Sequence, residues 1–268
     1  MEENRKRHEI INAPYNPVTG LGAVGERKKI SIKDSPIGDM YLPVELIKEN
    51  LFIRRLAKYG FKGYIIRFIK EVEYSEEALN QLWIEFIKYR IIYDFEYWAY
   101  SFIFIKDKVS PKDIPFKLNR AQRRVLNKLE KLRKAGKPIK FILLKARQWG
   151  GSTLVQIYML WIMLVHRRNW NTVICGDVET QSRNVRAMIT KALNKYPSYL
   201  LGETVKFTPF EGSSKNKVIQ NTNCVVSIGS FQKPDTLRSG DISGAHLTEI
   251  GLWRATPGKK PEDLIQSI

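Results

Sequence analysis

Lys145-Ala146-Arg147-Gln148-Trp149-Gly150-Gly151-Ser152-Thr153 follows directly on the apolar run Phe141-Ile142-Leu143-Leu144. A short buried strand, a glycine turn, two hydroxyls and then an apolar helix over 153–165 is the order in which a phosphate-binding loop is built. Gly150 and Gly151 let the backbone turn tightly and approach an anion. The helix that follows offers free N–H groups and its positive end. Ser152 or Thr153 can place a hydroxyl on Mg2+. The usual pattern, however, carries a lysine after its last glycine. Here Gly151 takes the lysine slot and Lys145 stands where the first glycine would be. Lys145 could reach back over the loop to terminal phosphates, and the Arg147 guanidinium could pair bidentately with phosphate oxygens. The bland alternative is an ordinary strand–turn–helix corner.

Three other stretches bear on the same chemistry. Gly244-Ala245-His246-Leu247-Thr248-Glu249 reads as a short strand ending in a carboxylate. Glu249 there could orient an attacking water. Thr248, in the metal-side position, offers only a neutral oxygen. In Ile114-Pro115-Phe116-Lys117-Leu118-Asn119-Arg120-Ala121-Gln122, Gln122 at a helix start could read an adenine edge while Phe116 covers the ring. Arg238, in a Gly/Ser-containing loop before the last strand, could contact a phosphate or DNA.

The elements that must position these residues follow from periodicity. Residues 1–45, rich in Gly, Pro and charge, read as an extended arm. Residues 46–113 read as helical, with Ser75-Glu76-Glu77 as an N-cap and acidic first turn opening a helix through Tyr93. The cluster Phe95, Tyr97, Trp98, Tyr100 and Phe102 fits a packed helical core better than a base-stacking platform. Residues 114–268 alternate strand and helix, which predicts a mostly parallel sheet covered on both faces. Strands are expected at 141–144, 172–175 and 244–247. Helices are expected at 119–135 and 180–193. A hairpin is expected at 217–220 and 224–228 around Asn221-Thr222-Asn223.

The chain of 268 residues carries a formal charge of +18, which argues for a polyanionic partner. Residues 101–150 hold fifteen Lys/Arg against three Asp/Glu, whereas residues 1–50 are balanced at eight each. That basic segment reads as a DNA-facing surface or as a solvated helix face. Cys175 and Cys224 have no clustered partners, and His8, His166 and His246 are scattered. A disulfide framework and a zinc or histidine metal site are therefore not expected. The charged N-terminus lacks the apolar core of a signal peptide. The longest apolar run, 154–165, is broken by Gln156 and falls short of the ~20 residues of a membrane span.

Together these residues resemble the ATPase domain of the large terminase subunit of tailed bacteriophages and prophages. The phrases from Lys145 to Thr153 and His246-Leu247-Thr248-Glu249-Ile250-Gly251-Leu252-Trp253 carry most of the likeness. Gly176 to Asn184 after the second strand, Tyr15-Asn16-Pro17-Val18-Thr19-Gly20 and Met40-Tyr41-Leu42-Pro43 add to it. The resemblance implies a P-loop NTPase of the ASCE/RecA-like kind, with a mostly parallel sheet flanked by helices after a helical N-terminal region. It implies ATP and Mg2+ as cofactors and ATP hydrolysis that drives double-stranded DNA into a procapsid. Some members carry the loop lysine at the front, which Lys145 matches. Arg147 matches the loop arginine, Gln122 the adenine-reading glutamine and Glu249 the catalytic glutamate. Gln148, Trp149, Gly150, Gly151, Ser152 and Thr153 would complete the nucleotide loop. Ser152, Thr153 and Thr248 would face the metal, with Thr248 replacing the usual aspartate. Implied partners are the portal protein, the small terminase subunit and further copies in a ring, with no membrane. The implied location is the host cytoplasm, transiently at the portal vertex. The sequence ends at residue 268, before the coupling strand and nuclease carboxylates of the family. A truncated terminase without nuclease activity is therefore the expectation. The rival expectations are a non-catalytic nucleotide- or DNA-binding fragment and a helicase-like ATPase.

Overall fold

The computed structural model describes residues 2, 13–69, 75–107, 109–144, 149–233 and 241–266. These fall into two compact units, Met1–Phe102 with Pro115–Trp149, and Ile103–Ile114 with Gly150–Ile268. Among the described residues no helix is long and apolar enough to cross a membrane.

In the first unit the expected extended arm contains regular structure. Strands β1 (Arg27–Ser31) and β2 (Asp39–Pro43) pair antiparallel, Arg27 opposite Pro43 and Ser31 opposite Asp39. Met40 and Leu42 alternate along β2 and are fully buried, the period-2 signature of a strand with one covered face. Helices α1 (Val44–Glu49), α2 (Leu51–Phe68), α3 (Glu76–Tyr93), α4 (Phe95–Phe102) and α5 (Arg120–Lys134) follow. The Ser75 hydroxyl accepts from the Ala78 N–H at 3.1 Å, so α3 starts and ends where the sequence indicates. Phe95, Tyr97, Trp98 and Phe102 are buried, as a packed core requires.

Helix α2 is kinked at Gly60, which holds φ 71 and ψ 178, a conformation open to glycine and costly for other residues. The kink brings the Phe61 N–H onto the Lys33 carbonyl at 3.1 Å. A Cβ at position 60 would sit 2.8 Å from Lys33 Cβ and 2.9 Å from its carbonyl oxygen. Gly60→Ala is therefore expected to destabilise the protein by roughly 2–3 kcal/mol, from backbone strain plus the displaced loop. Urea unfolding of the variant against the parent measures it.

An ionic cluster lies inside this unit. Arg27 forms a fork on Asp94, at 2.9 and 2.8 Å, and Arg90 Nε donates to Asp94 at 3.1 Å. Burial alone would raise the Asp94 pKa, but Arg27 and Arg90 hold it below the ordinary carboxylate value. Glu96 behaves oppositely. Burial pushes it up to about 7, against the lowering pull of the Val24 N–H and Arg27. A carboxyl raised in the folded state contributes stability that is full below its unfolded value and lost as pH rises through the folded value. Stability should therefore fall between about pH 5 and 8, by up to ~3 kcal/mol. Glu96→Gln should flatten that dependence and exceed the parent at pH 8. The Asp94 contribution has the other sign and is lost only in acid. Thermal melts at pH 5, 6, 7 and 8 on parent and variant read the difference.

Helix α5 begins with a capping box: the Asn119 side chain accepts from the Gln122 N–H and Gln122 Oε1 accepts from the Asn119 N–H, both at 2.9 Å. Leu126 and Leu129 face inward, while Arg124, Lys128 and Lys131 face out. Part of the basic segment is thus an amphipathic helix, with Arg124, Lys128 and Lys131 on its solvent side.

The strand expected at 141–144 is not formed. These residues have no strand pairing, and Ile142 and Leu144 are 96% and 99% exposed. Four apolar residues become a strand only when a neighbouring ladder satisfies their backbone groups, and periodicity in so short a run cannot announce that partner.

The second unit is built on a five-stranded sheet in the order β6-β7-β8-β5-β9. Its strands are β5 (Asn171–Gly176), β6 (Phe207–Phe210), β7 (Ser213–Ile219), β8 (Cys224–Ser230) and β9 (Gly244–Leu247). A separate two-stranded ribbon pairs β3 (Phe104–Lys106) with β4 (Asp113–Pro115). Strand β5 runs parallel to both β8 and β9, whereas β6–β7 and β7–β8 are antiparallel. The sheet is mixed rather than mostly parallel. The reason is local: tight turns at Glu211-Gly212 and at 220–223, with Glu211, Gly212 and Asn223 at positive φ, are too short for the crossover that parallel neighbours need. Helix α6 (Gly151–Trp161), continued by a π turn over Ile162–His166, and helix α7 (Glu179–Leu193) follow the alternation the sequence indicates. Leu154, Ile157, Leu160, Trp161 and Met163 of α6 and its π turn are buried, as a helix behind a glycine turn should be. A short helix α8 (Pro261–Gln266) places Leu264 in a cluster with Val173, Cys175, Phe231 and Trp253.

Candidate active site

The second unit assembles the loop end and the carboxylate. In the parallel trio, Cys175 stands opposite both Gly229 and Leu247, so β8, β5 and β9 end at one level. Two contacts fix the direction of α6. At its far end, Met163 meets Thr172 and Cys224 at the strand starts. One turn beyond its beginning, Gln156 Nε2 meets His246 Nδ1, halfway along the sheet where His246 faces Ile174. Helix α6 therefore runs against the parallel strands. Its N-terminus lies at their carboxyl ends, the edge at which open α/β sheets bind ligands.

That N-terminus is shaped for an anion. Gly150, the N-cap, adopts φ 84 and ψ 25 and, as a glycine, brings no side chain of its own to the first turn. The N–H groups of Gly151, Ser152 and Thr153 are the first-turn donors that have no carbonyl partner within a helix. Ser152 and Thr153 are half-buried, and the Thr153 hydroxyl touches Met188 Sδ at 3.8 Å.

At the end of β9, the Thr248 N–H donates to the Cys175 carbonyl at 2.8 Å, extending the β5–β9 pairing past the strand. Glu249 then turns into the left-handed region at φ 57 and ψ 37. A non-glycine residue there is uncommon and marks a position held by its surroundings. Its carboxylate is exposed and accepts from Gln181 Nε2 at 3.0 Å.

The remaining expected residues are distributed as follows. Lys145, Arg147 and Gln148 lie outside the described residues, as does Arg238. In the first unit, Phe116 is 2% exposed and packs in the interior, and Gln122 is 4% exposed with its carbonyl oxygen engaged in the capping box. Asn119 Nδ2 donates to the Trp149 carbonyl at 3.1 Å, which ties the start of α5 to that residue. The amide role observed for Gln122 is to close a helix end.

Phosphate fits the glycine-led end of α6. Among the described residues, the first turn of α6 offers the hydroxyls of Ser152 and Thr153, and a divalent cation there would draw its anionic ligands from the phosphates. Among the described residues, no group of three or more His, Cys, Asp or Glu is placed to hold a metal ion by itself.

Sequence reasoning passed over Gln181 and Ser182. Their signal was the stretch from Gly176 to Asn184, noticed as a phrase but not resolved into roles. Ser182 Oγ accepts from the Gly176 N–H at 2.8 Å and donates to the Gly229 carbonyl at 2.6 Å.

No protein-family model matches the sequence, and no curated protein matches it. Among solved structures, the chain is similar to the crystal structure of the HK97 bacteriophage large terminase, with a TM-score of 0.47 and 18% identity. The similarity covers 65% of this chain and 34% of that one, so the chain spans about a third of the length of the terminase it matches.

Proposed function

We propose that this chain is the ATP-hydrolysing module of a DNA-packaging motor of the large-terminase kind, acting on double-stranded DNA. The observation that carries the catalytic part is that the glycine-led N-terminus of α6 and a carboxylate in a left-handed turn lie at the same end of the parallel strands. Bound Mg2+ would neutralise phosphate charge. The α6 amides would hold the phosphates, with Lys145 and Arg147 as the loop cations. Glu249 would accept the proton of a water whose oxygen attacks the terminal phosphorus as its bond to the bridging oxygen breaks. Gln122 and Phe116 would take the adenine only if the capping box and the interior ring rearrange.

The DNA part rests on the sequence resemblance and on the charge concentrated in 101–150. Cations on the solvent face of α5 would meet phosphates without reading bases, so binding should be nonspecific and should weaken steeply with salt. The portal protein, the small terminase subunit and a ring of copies are partners of the same proposal. Phosphate release by the purified chain, with and without duplex DNA, tests it together with Lys145→Ala. ATP binding that Lys145→Ala weakens at least about tenfold is expected, since a charge-assisted phosphate contact contributes on the order of 1.5–3 kcal/mol. Absence of ATP binding by the parent protein overturns the reading.

A further inference from the structure

Gln181 sits in the first turn of α7 and has both ends of its amide engaged. Its Oε1 accepts from the Asp177 N–H at 3.0 Å and its Nε2 donates to Glu249 Oε2 at 3.0 Å. The first bond decides the second. A backbone N–H requires an acceptor, so the carbonyl end must face Asp177 and only the NH2 end can face the carboxylate. The next residue, Ser182, bridges Gly176 and Gly229. Two consecutive side chains of one helix turn therefore hold the carboxyl ends of β8, β5 and β9. Gly176 is matched to this arrangement: a Cβ there would lie 3.0 Å from Gln181 Oε1 and 3.1 Å from Gln181 Cβ.

We propose that Gln181 is a positioning residue, fixing the direction of the Glu249 carboxylate by holding one of its oxygens and leaving the other for water. The proposal rests on the reading of Glu249 as the water-orienting base. An exposed carboxylate on a flexible side chain samples several rotamers, and a second anchor on a fixed strand end restricts them. A base displaced by about 1 Å loses up to about a hundredfold in rate.

The discriminating variants are Gln181→Ala and Gln181→Glu. A glutamate keeps the acceptor for Asp177 N–H but sets a like charge against Glu249 in place of a donor. Both variants should lower kcat about tenfold or more with the ATP KM within about twofold, since only the carboxylate is misdirected. Gln181→Glu should be no better than Gln181→Ala, which a merely structural role would reverse. A readout independent of turnover is the side-chain amide of Gln181 in the 15N-labelled 268-residue protein. Its resonances should move toward those of a free amide in Glu249→Ala. If they do not move, the contact is absent and the proposal falls whatever the turnover. If Glu249→Gln abolishes turnover while both Gln181 variants keep the parent kcat, the positioning role alone falls. If Glu249→Gln leaves turnover intact, the base assignment falls and takes this proposal with it.

Discussion

Glu249→Gln is expected to reduce the rate of phosphate release by at least about 100-fold at saturating ATP, the scale of a lost general base. The amide is nearly isosteric with the carboxylate and can still accept from Gln181 Nε2, so the left-handed turn at φ 57 should persist. What it loses is the capacity to take a proton from water. On the proposed assignment ATP affinity should change by no more than about threefold, because the phosphate contacts would come from α6 and the loop rather than from β9. Glu249 is exposed, so thermal stability should stay within a degree or two of the parent, as for most surface substitutions. Steady-state phosphate release with and without duplex DNA, paired with equilibrium nucleotide binding, separates the two effects. Unchanged release would exclude Glu249 as the base.

Asp94→Ala is expected to destabilise the protein by about 3–5 kcal/mol, the usual cost of breaking a buried ion pair from one side. Arg90 and Asp94 are both fully buried, and Arg27 nearly so. Removing the carboxylate leaves Arg90 over the Tyr97 ring, 3.7 Å from its centroid, with no counter-charge at hand. Arg27 retains the Tyr41 and Val24 carbonyls at 3.1 Å and Glu96 Oε2 at 3.9 Å, so the uncompensated charge falls on Arg90. The Tyr97 N–H also loses its acceptor, Asp94 Oδ1 at 3.3 Å. Removing Arg90 and Asp94 together should cost less than the sum of the single changes, because the uncompensated charge goes with its partner. Denaturant unfolding of the two single variants and the double variant measures the coupling. Additive costs would mean that the cluster does not act as a unit.

Most elements were legible in the sequence because their determinants are local. Ser75 followed by two glutamates marks the start of α3, and the Asn119–Gln122 pair marks that of α5. The apolar run behind Gly150 marks α6, and Asn221-Thr222-Asn223 marks the turn between β7 and β8. The Gly60 kink was less so: the helical pattern lapses between Tyr59 and Tyr64, but the reason for the lapse is the Lys33 carbonyl, far away in sequence. The β1–β2 hairpin escaped notice because the exposed positions of β1 are basic and its buried contribution is small. In the candidate site, Gly150, Ser152, Thr153 and Glu249 are candidates that residue type and spacing alone suggest. Gln181 was not, since a glutamine in a first turn carries no mark of the carboxylate it meets.

By itself the sequence determined which residues could do the chemistry, where the helices begin, and that charge is concentrated before the loop. Those properties depend on neighbours within a few positions and on residue type. Only the tertiary structure decided that β5 pairs with both β8 and β9 and that 141–144 stays unpaired. It also decided that α6 opens at the same end as Glu249. Each of these is a choice of partner for a backbone or side-chain polar group, and partners distant in sequence meet only when the chain packs.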